Sequence, residues 1–304
     1  MEFTIGLESP FNLDATLESG QVFRWERKGE WWLGIVSGGV LKVRQEGDSL
    51  RCSSASDMLG SGFVRNYFRL GDNLDDVLGS IAKDETITQA IQKFYGLRLI
   101  RQERWECLAS FLLSTNTNIP RIRMMVSAIC AKYGEPFDFE GVQFRAFPKP
   151  DALADASVAD LRVCGLGYRA PFLKHVAASV AAGRVDFTEL EKLDYEMARK
   201  ELLVELLGEK LLLGVGPKVA DCVLLYSLGK DEAFPIDVWI ARELVRSYPR
   251  LFDPSIGKKL EGTKKLRLGL GSYDRISRAV RDYFGRYAGY AQQYLYMAAR
   301  SADA

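Results

Sequence analysis

A lysine stands where a helix is predicted to begin in the stretch GVGPKVADC, residues 214–222. The run Gly-Val-Gly-Pro predicts a tight turn that leads into a helix, because glycine supplies backbone freedom and proline is favoured in the first helical turn. Lys218 therefore falls in that turn, where unpaired backbone N–H groups make the helix end electropositive and disfavour an ammonium group. A lysine that gives up its proton readily can act as a nucleophile.

Asp237 is the second residue that could take part in such chemistry. It follows Pro235 in AFPIDVWIARELV, at the point where another helix is predicted to begin, and taken alone it is expected to cap that helix. If the two helix starts meet in one cleft, its carboxylate can stabilise positive charge that develops as an amine attacks. Asp221 and Cys222 lie one turn after Lys218 and are expected to share its helix face, although a cysteine there can also be ordinary core.

The glycine turn ahead of Lys218 allows two interpretations. Backbone N–H groups of Gly214, Val215 and Gly216 at a helix start form a site suited to a phosphate. The alternative is an αα-hairpin that only packs in a core. The flanking sequence MARKELLVELLGEKLLLGVGPKVADCVLLYSLG predicts one helix before the turn and a second after it.

Two patterns of hydrophobicity predict the elements that must position these residues. Residues 21–53 alternate apolar and polar positions and contain turn sequences at short spacing, which predicts an antiparallel β-meander. After about residue 60, segments such as WECLASFLLSTNTN and PRIRMMVSAICAKYG have apolar residues at helical spacing. We therefore predict an α+β fold: an N-terminal antiparallel β-sheet region with trailing helices over residues 1–100, then a larger helical body over 101–304 that contains a helix-hairpin-helix at about 197–228.

The composition excludes several classes of function. Five cysteines without a C-x-x-C pair argue against a disulfide framework and against a zinc or iron–sulfur site, and a single histidine, His175, excludes a multi-histidine metal centre. We therefore expect no metal and no cofactor. Apolar runs such as LASFLL are too short to cross a membrane, and the first residues lack a secretory signal pattern. We expect an intracellular protein, cytoplasmic or nuclear, without a membrane partner.

A basic segment stands out from a chain whose net charge is only +1. Residues 256–290 contain nine basic and three acidic side chains, which favours contact with a polyanion, although a solvated surface is the alternative. The basic residues are Lys258, Lys259, Lys264, Lys265, Arg267, Arg275, Arg278, Arg281 and Arg286.

The span 211–242, LLLGVGPKVADCVLLYSLGKDEAFPIDVWIAR, resembles the motif of the helix-hairpin-helix DNA glycosylase superfamily, in which a Gly/Pro-rich loop and a catalytic aspartate follow the hairpin. More narrowly, the chain is similar to the 8-oxoguanine DNA glycosylases, in the same order over nearly its whole length. The resemblance implies that Lys218 and Asp237 are the catalytic residues. It implies that the hairpin at Gly214, Val215 and Gly216 binds a DNA phosphate.

The same resemblance implies a pocket for an extruded base. FNLDATLESGQVFRW resembles the family's first strand segment, whose glycine, here Gly20, offers its carbonyl to the N7–H that 8-oxoguanine has and guanine lacks. YAGYAQQYLY resembles the family's last helix and implies Gln292 on the Watson–Crick edge and Tyr296 across one face of the base, with Cys222 on the other face. Taken alone, Gln292 and Tyr296 are consistent with ordinary helix packing.

Two further segments resemble those that meet the opposite strand. LLSTNTNIPRIRMMV implies Asn116 and Arg121 as readers of the orphaned cytosine, and CGLGYRAPFL implies Tyr168 as the wedge and Arg169 as a second cytosine contact. From the residues alone, Asn116 could instead cap a helix that begins near Pro120, and both arginines could lie on the surface.

The implied protein is a monomeric DNA repair enzyme that excises 8-oxoguanine opposite cytosine from duplex DNA through a Schiff base on lysine, with associated AP lyase activity. Within the superfamily, a monofunctional alkyl-base glycosylase is the alternative, but such enzymes usually lack the lysine. A non-catalytic helix-hairpin-helix DNA-binding protein is another. The chain departs from the family at Tyr296, where phenylalanine is more usual, at Trp239, often a histidine, and in a longer helix before Gly214. No cysteine follows Cys222, so the iron–sulfur cluster of related branches is absent.

Overall fold

The computed structural model describes residues 1–206, 209–210, 212–253 and 268–302. Within them, five strands form an antiparallel sheet in the order β1-β5-β4-β3-β2. The predicted meander is confirmed, and the sequence interpretation missed only the first strand, which pairs with the last. The strands are β1 (Glu2–Gly6), β2 (Trp25–Lys28), β3 (Trp31–Val36), β4 (Gly39–Glu46) and β5 (Ser49–Ser54).

The sheet forms because apolar side chains alternate along its strands and bury one face. Along β3, Trp32 and Val36 are buried while Trp31 is half-exposed, as a period of two requires. These residues join Ile5, Leu41 and Leu50 in a hydrophobic core of the sheet. The α+β fold class is therefore confirmed at its N-terminal end.

The rest of the described chain is mainly helical. The helices are α1 (Leu13–Glu18), α2 (Ser61–Tyr67), α3 (Leu74–Ile81), α4 (Glu85–Lys93), α5 (Arg104–Leu113), α6 (Ile119–Tyr133), α7 (Pro150–Asp155), α8 (Val158–Val163), α9 (Ala170–Ala181), α10 (Phe187–Lys192), α11 (Tyr195–Leu202), α12 (Pro217–Tyr226), α13 (Val238–Ser247), α14 (Leu270–Phe284) and α15 (Ala288–Ala302). A hairpin of β6 (Pro136–Phe139) and β7 (Val142–Arg145) interrupts them. From α3 onward the helices share a second, larger core. The division of the chain near residue 100 stays a prediction.

The centre of the helical body is α5, which is buried along most of its length and packs against α9 and α12. The last helix, α15, packs against α3, α4 and α13 and is also largely buried. These two helices bring distant parts of the chain to the N-terminal end of α12, where Lys218 lies.

The helix predicted to run up to Gly214 is shorter than the sequence indicates. It ends as α11 at Leu202, where the N–H of Leu203 donates to the carbonyls of Arg199 and Lys200. Two short strands, β8 (Glu205–Leu206) and β9 (Glu209–Lys210), follow as an antiparallel pair. The prediction of a longer lead-in helix is therefore wrong, because β-branched Val204 is a poor helix former, which the apolar spacing alone does not reveal.

None of the helices in the described ranges is both long and apolar enough to cross a membrane.

Gly289 sets the close approach of α15 to the segment that precedes α13. Its N–H donates to the Asp231 carbonyl at 2.7 Å, and a β-carbon there would lie 2.8 Å from that oxygen and 2.9 Å from the carbonyl of Ala233.

We expect Gly289→Ala to lower the free energy of unfolding by about 1–3 kcal/mol, because backbone must move to make room. Urea unfolding measures this, with Gly271→Ala in open space on α14 as the control. Equal stability of the two variants would contradict the role of Gly289 in the close approach of α15.

Candidate active site

Lys218 occupies the first turn of α12, as predicted. Pro217 opens the helix and Gly216 is its N-cap, with no side chain capping the free N–H groups. The Lys218 ammonium Nζ donates to Ser114 Oγ at 2.7 Å and lies 5.1 Å from the centre of the Phe111 ring. Because Ser114 donates its own hydrogen to the Phe111 carbonyl at 2.6 Å, its oxygen is left to accept from the lysine.

Asp237 lies at the start of α13, and the structure shows it to be a helix cap. Its Oδ1 accepts from the N–H of Ile240 at 2.9 Å. The surrounding protein removes most of the hydration of this carboxylate and raises its pKa, while the bond from Ile240 and the nearby Lys218 charge oppose the rise. The two helix starts therefore converge, and a partly buried carboxylate lies within the electrostatic reach of the lysine.

Asp221, three residues after Lys218, bonds to α11 and α14 rather than to the lysine. Its carboxylate is buried and accepts from Tyr195 Oη at 2.8 Å, Arg199 Nε at 2.9 Å and Tyr273 Oη at 2.7 Å. The partners on α11 and α14 decide the direction of its side chain. Tyr273 Oη in turn accepts from the backbone N–H of Ile236 at 3.0 Å, one residue before Asp237. This chain of bonds ties the lysine helix to the Asp237 segment.

Cys222 lies on the lysine face and close to both catalytic candidates. It is 2% exposed, and burial raises the pKa of its thiol to about 12, an effect that the nearby Lys218 charge opposes and the Asp237 charge reinforces. The thiol is therefore neutral at physiological pH and offers a small apolar surface. That suits the predicted contact with one face of a base.

Tyr296 and Gly20 meet beside this group. A β-carbon on Gly20 would lie 3.3 Å from Tyr296 Oη and 3.0 Å from Ile119 Cδ1, and Gly20 has a φ of +80°, so both space and backbone favour glycine. Burial and the Asp237 charge raise the pKa of Tyr296 to about 12. Gln292 is buried on the same helix, where its Oε1 lies 3.3 Å from Tyr226 Oη. The four predicted base-binding residues thus border one region.

The predicted opposite-strand residues also come together. Tyr168 is 49% exposed, and its hydroxyl donates to the Thr115 carbonyl at 3.1 Å and accepts from Asn116 Nδ2 at 3.2 Å. Arg169 is only 4% exposed and donates to the carbonyls of Thr115 and Asn116. Its guanidinium therefore holds the loop on which Asn116 has a φ of +51°. The cap of α6 is Asn118 rather than Asn116, which excludes that alternative.

Arg121 lies exposed at the start of α6, close enough to Arg169 for its charge to contribute to a lowered pKa of that guanidinium, behind the larger effect of burial. Asn116 is exposed beside it. The two arginines thus concentrate positive charge next to the Asn116 loop. Direct contact of these residues with a base stays a prediction.

The hairpin before α12 has the geometry of a tight turn. Gly214 has a φ of +87°, and the N–H of Val215 donates to the Leu212 carbonyl at 3.0 Å. The N–H of Val215 is therefore engaged within the turn, and the N–H groups at the start of α12, which no side chain caps, are the ones that suit an anion. Of the basic segment, Arg275, Arg278 and Arg286 are exposed and Arg281 pairs with Glu196. Its other members, Lys258, Lys259, Lys264, Lys265 and Arg267, lie outside the described residues.

Sequence reasoning missed three polar residues around the site. Ser114 accepts a hydrogen bond from Lys218. Tyr226 donates to Gln293 at 2.6 Å and lies 3.3 Å from Gln292 Oε1, and Gln293 donates to the Ser19 carbonyl in the turn before Gly20. Of these three residues, only Ser114 could have been found from the sequence, because it lies just before the loop that was singled out for Asn116. No group of three or more potential metal ligands occurs among the described histidine, cysteine, aspartate and glutamate side chains.

Comparison with known families identifies two consecutive regions of the chain. Residues 5–108 match the model of the 8-oxoguanine DNA glycosylase N-terminal domain, and residues 109–253 match that of the HhH-GPD superfamily of base excision DNA repair proteins. A probable N-glycosylase/DNA lyase of Methanothermobacter thermautotrophicus is 31% identical, over 95% of this chain and 94% of the relative.

Solved structures agree in fold over the full length. MBOgg1, determined in complex with a low-affinity DNA ligand, has a TM-score of 0.86 and 32% identity, covering 100% of this chain and 96% of its own. The 8-oxoguanine glycosylase/lyase of Clostridium acetobutylicum, bound to double-stranded DNA with cytosine opposite 8-oxoguanine, has a TM-score of 0.82 and 26% identity, covering 99% of both chains.

The environment of Asp237 predicts a stability cost that depends on pH. Because its folded-state pKa is raised above the ordinary value of 3.8, the ionised carboxylate destabilises the fold at neutral pH, and that cost disappears as pH falls through the raised pKa. Asn keeps the capping oxygen. We expect Asp237→Asn to melt at a higher temperature than wild type at pH 7, with the gap closing near pH 4.

Thermal unfolding at both pH values measures this, with Asp155→Asn as a control at an exposed carboxylate. A variant less stable than wild type at pH 7 would contradict the burial cost assigned to Asp237.

Proposed function

The chain belongs to the 8-oxoguanine DNA glycosylase family of N-glycosylase/DNA lyases, and we propose that it uses Lys218 and Asp237 to release 8-oxoguanine from duplex DNA and then to cleave the strand. The observation that supports these roles is the convergence of two helix starts: one carries an amine, and the other carries a partly buried carboxylate. A monomer suffices, because one chain supplies every proposed site residue. The compartment, cytoplasmic or nuclear, stays a prediction.

DNA binding begins at the phosphates. The N–H groups of Gly214, Gly216 and the uncapped start of α12 face a phosphate, and exposed arginines of α14 add positive charge. The exposed ring of Tyr168 enters the base stack and kinks the duplex, at a cost of a few kcal/mol that the phosphate and pocket contacts offset.

The extruded base enters the region bordered by Gly20, Cys222, Gln292 and Tyr296. Tyr296 covers one face and the neutral thiol of Cys222 the other, while Gln292 bonds the Watson–Crick edge. The Gly20 carbonyl accepts from N7–H, a donor that undamaged guanine lacks. Recognition of the lesion therefore depends on one acceptor, and Asn116, Arg121 and Arg169 meet the cytosine left behind.

The chemistry follows from the lysine and the aspartate. Once its ammonium proton has passed to solvent, Lys218 Nζ attacks the sugar C1′ as the bond from C1′ to N9 breaks, and the leaving base takes up at N9 one proton of the attacking amine. The Asp237 carboxylate stabilises the positive charge that develops on the sugar. Loss of a second amine proton and opening of the sugar give a Schiff base. That group acidifies the C2′ proton, whose removal expels the 3′ phosphate, and water then releases Lys218.

The geometry disfavours the rival functions. A monofunctional alkyl-base glycosylase needs no amine at the hairpin, whereas Lys218 is held at 2.7 Å by Ser114 in the site. A non-catalytic DNA-binding hairpin needs neither a buried carboxylate beside the amine nor a base pocket. Asp237 supplies the first feature as a partly buried carboxylate on which the Lys218 charge acts, and the base pocket is part of the proposal.

Borohydride trapping tests the role of Lys218. With a duplex that carries 8-oxoguanine opposite cytosine, wild type should form a covalent complex, and Lys218→Gln should form none while it still binds the duplex, because glutamine cannot make a Schiff base. Lys192→Gln, at an exposed lysine, should trap like wild type. Trapping that survives Lys218→Gln would show that another amine is the nucleophile.

Arg121 should set the preference for cytosine opposite the lesion. We expect wild type to excise 8-oxoguanine fastest opposite cytosine, and Arg121→Met to reduce the cytosine-to-adenine rate ratio by about tenfold, the loss of one charged hydrogen bond to the base. Single-turnover excision with each opposite base measures the ratio. Arg123 is an exposed residue of the same helix, and Arg123→Met should either leave the excision rates unchanged or slow excision opposite all four bases equally. Equal wild-type rates opposite all four bases would contradict a cytosine-reading role.

A further inference from the structure

Two side chains of α15 hold the backbone that leads into Gly20. Gln293 Nε2 donates to the Ser19 carbonyl at 2.9 Å, and Arg300 Nη2 donates to the Glu18 carbonyl at 2.7 Å. Both carbonyls belong to the end of α1, where the helix leaves its last carbonyls without partners. The last helix therefore fixes two consecutive peptide groups in the turn that precedes Gly20.

The far side of the turn is fixed as well. Gln21 Nε2 donates to the Arg98 carbonyl at 2.8 Å, its Oε1 accepts from the Ile100 N–H at 2.8 Å, and its own carbonyl accepts from Gln102 Nε2 at 2.9 Å. No described group donates to the Gly20 carbonyl. Carbonyls 18, 19 and 21 are thus occupied, and the one between them is left to accept from a ligand.

Gln293 and Arg300 also contact the rest of the pocket. The Arg300 guanidinium lies 5.7 Å from the centre of the Tyr296 ring, and its Nη1 is 3.2 Å from where a β-carbon of Gly20 would be. Gln293 Oε1 accepts from Tyr226 Oη at 2.6 Å. Each residue therefore joins the Gly20 turn to an aromatic side chain of the base site.

We propose that Gln293 and Arg300 are positioning residues for lesion recognition, which fix the Gly20 turn so that its carbonyl meets the N7–H of the extruded base. This rests on the proposed function. Undamaged guanine presents an N7 lone pair instead of a donor, so a carbonyl held in place repels it, whereas a carbonyl free to turn away does not. The rigidity of the turn, and not only its glycine, determines the discrimination between 8-oxoguanine and undamaged guanine.

Two reactions of the same protein separate this role from a general structural one. Excision of 8-oxoguanine requires the base to be read, whereas cleavage at a preformed abasic site does not. We expect Arg300→Met and Gln293→Leu each to slow single-turnover excision by about tenfold, the effect of one lost hydrogen bond, and to leave abasic-site cleavage within about twofold of wild type. Arg300→Lys, which keeps a donor for the Glu18 carbonyl, should recover part of the excision rate.

Binding gives a second readout that does not depend on turnover. In a Lys218→Gln background, the ratio of the Kd for a guanine:cytosine duplex to the Kd for an 8-oxoguanine:cytosine duplex should fall on adding either substitution. Lys93→Met is the matched control, because Lys93 Nζ donates to Ser301 Oγ of the same helix at 2.8 Å without touching the turn. It should change neither the ratio nor the excision rate.

Equal loss of excision and abasic-site cleavage, or an equal effect of Lys93→Met, would overturn the positioning role. If wild type cleaves abasic DNA but releases no 8-oxoguanine, the proposed substrate itself is wrong, and this proposal fails with it.

Discussion

The buried carboxylate of Asp221 holds together the two helix starts on which the site depends. It binds α11 through Tyr195 and Arg199, and it binds α14 through Tyr273, whose hydroxyl accepts from the backbone beside Asp237. A buried carboxylate is costly unless its oxygens are satisfied, and here three donors satisfy them. The Lys218 amine and the Asp237 carboxylate are therefore kept close together, although each lies at an electropositive helix start.

The surrounding polar groups leave selected atoms free. Ser114 donates its hydrogen to a backbone carbonyl and therefore accepts from Lys218. Arg169 donates from Nε and Nη2 to the carbonyls of the Asn116 loop. Around Gly20 the neighbouring carbonyls are occupied and its own is not. In each case the protein satisfies the groups next to a functional atom, which orients that atom without blocking it.

The sequence predicted the sheet, the helical body and both helix starts, because alternation, helical spacing and Gly-Pro turns are local signals. Lys218 and Asp237 were singled out because lysine and aspartate have distinct chemistry at helix starts, whereas Gly20 was implied only by the family resemblance. The end of α11 at Leu202 and the direction of Asp221 were not predictable, since both depend on partners far along the chain. The same is true of Gln293, whose contacts with Ser19 and Tyr226 appear only once α15 is packed against the start of the chain.

The central claim is that the amine at the start of α12 forms the covalent intermediate. The most direct measurement is mass spectrometry of peptides from the wild-type complex after reduction and nuclease treatment, which locates the sugar remnant on the chain. We expect a single modified residue, Lys218. A remnant on the terminal amine of Met1 or on any other lysine would contradict it, even if the protein released 8-oxoguanine and cleaved the strand.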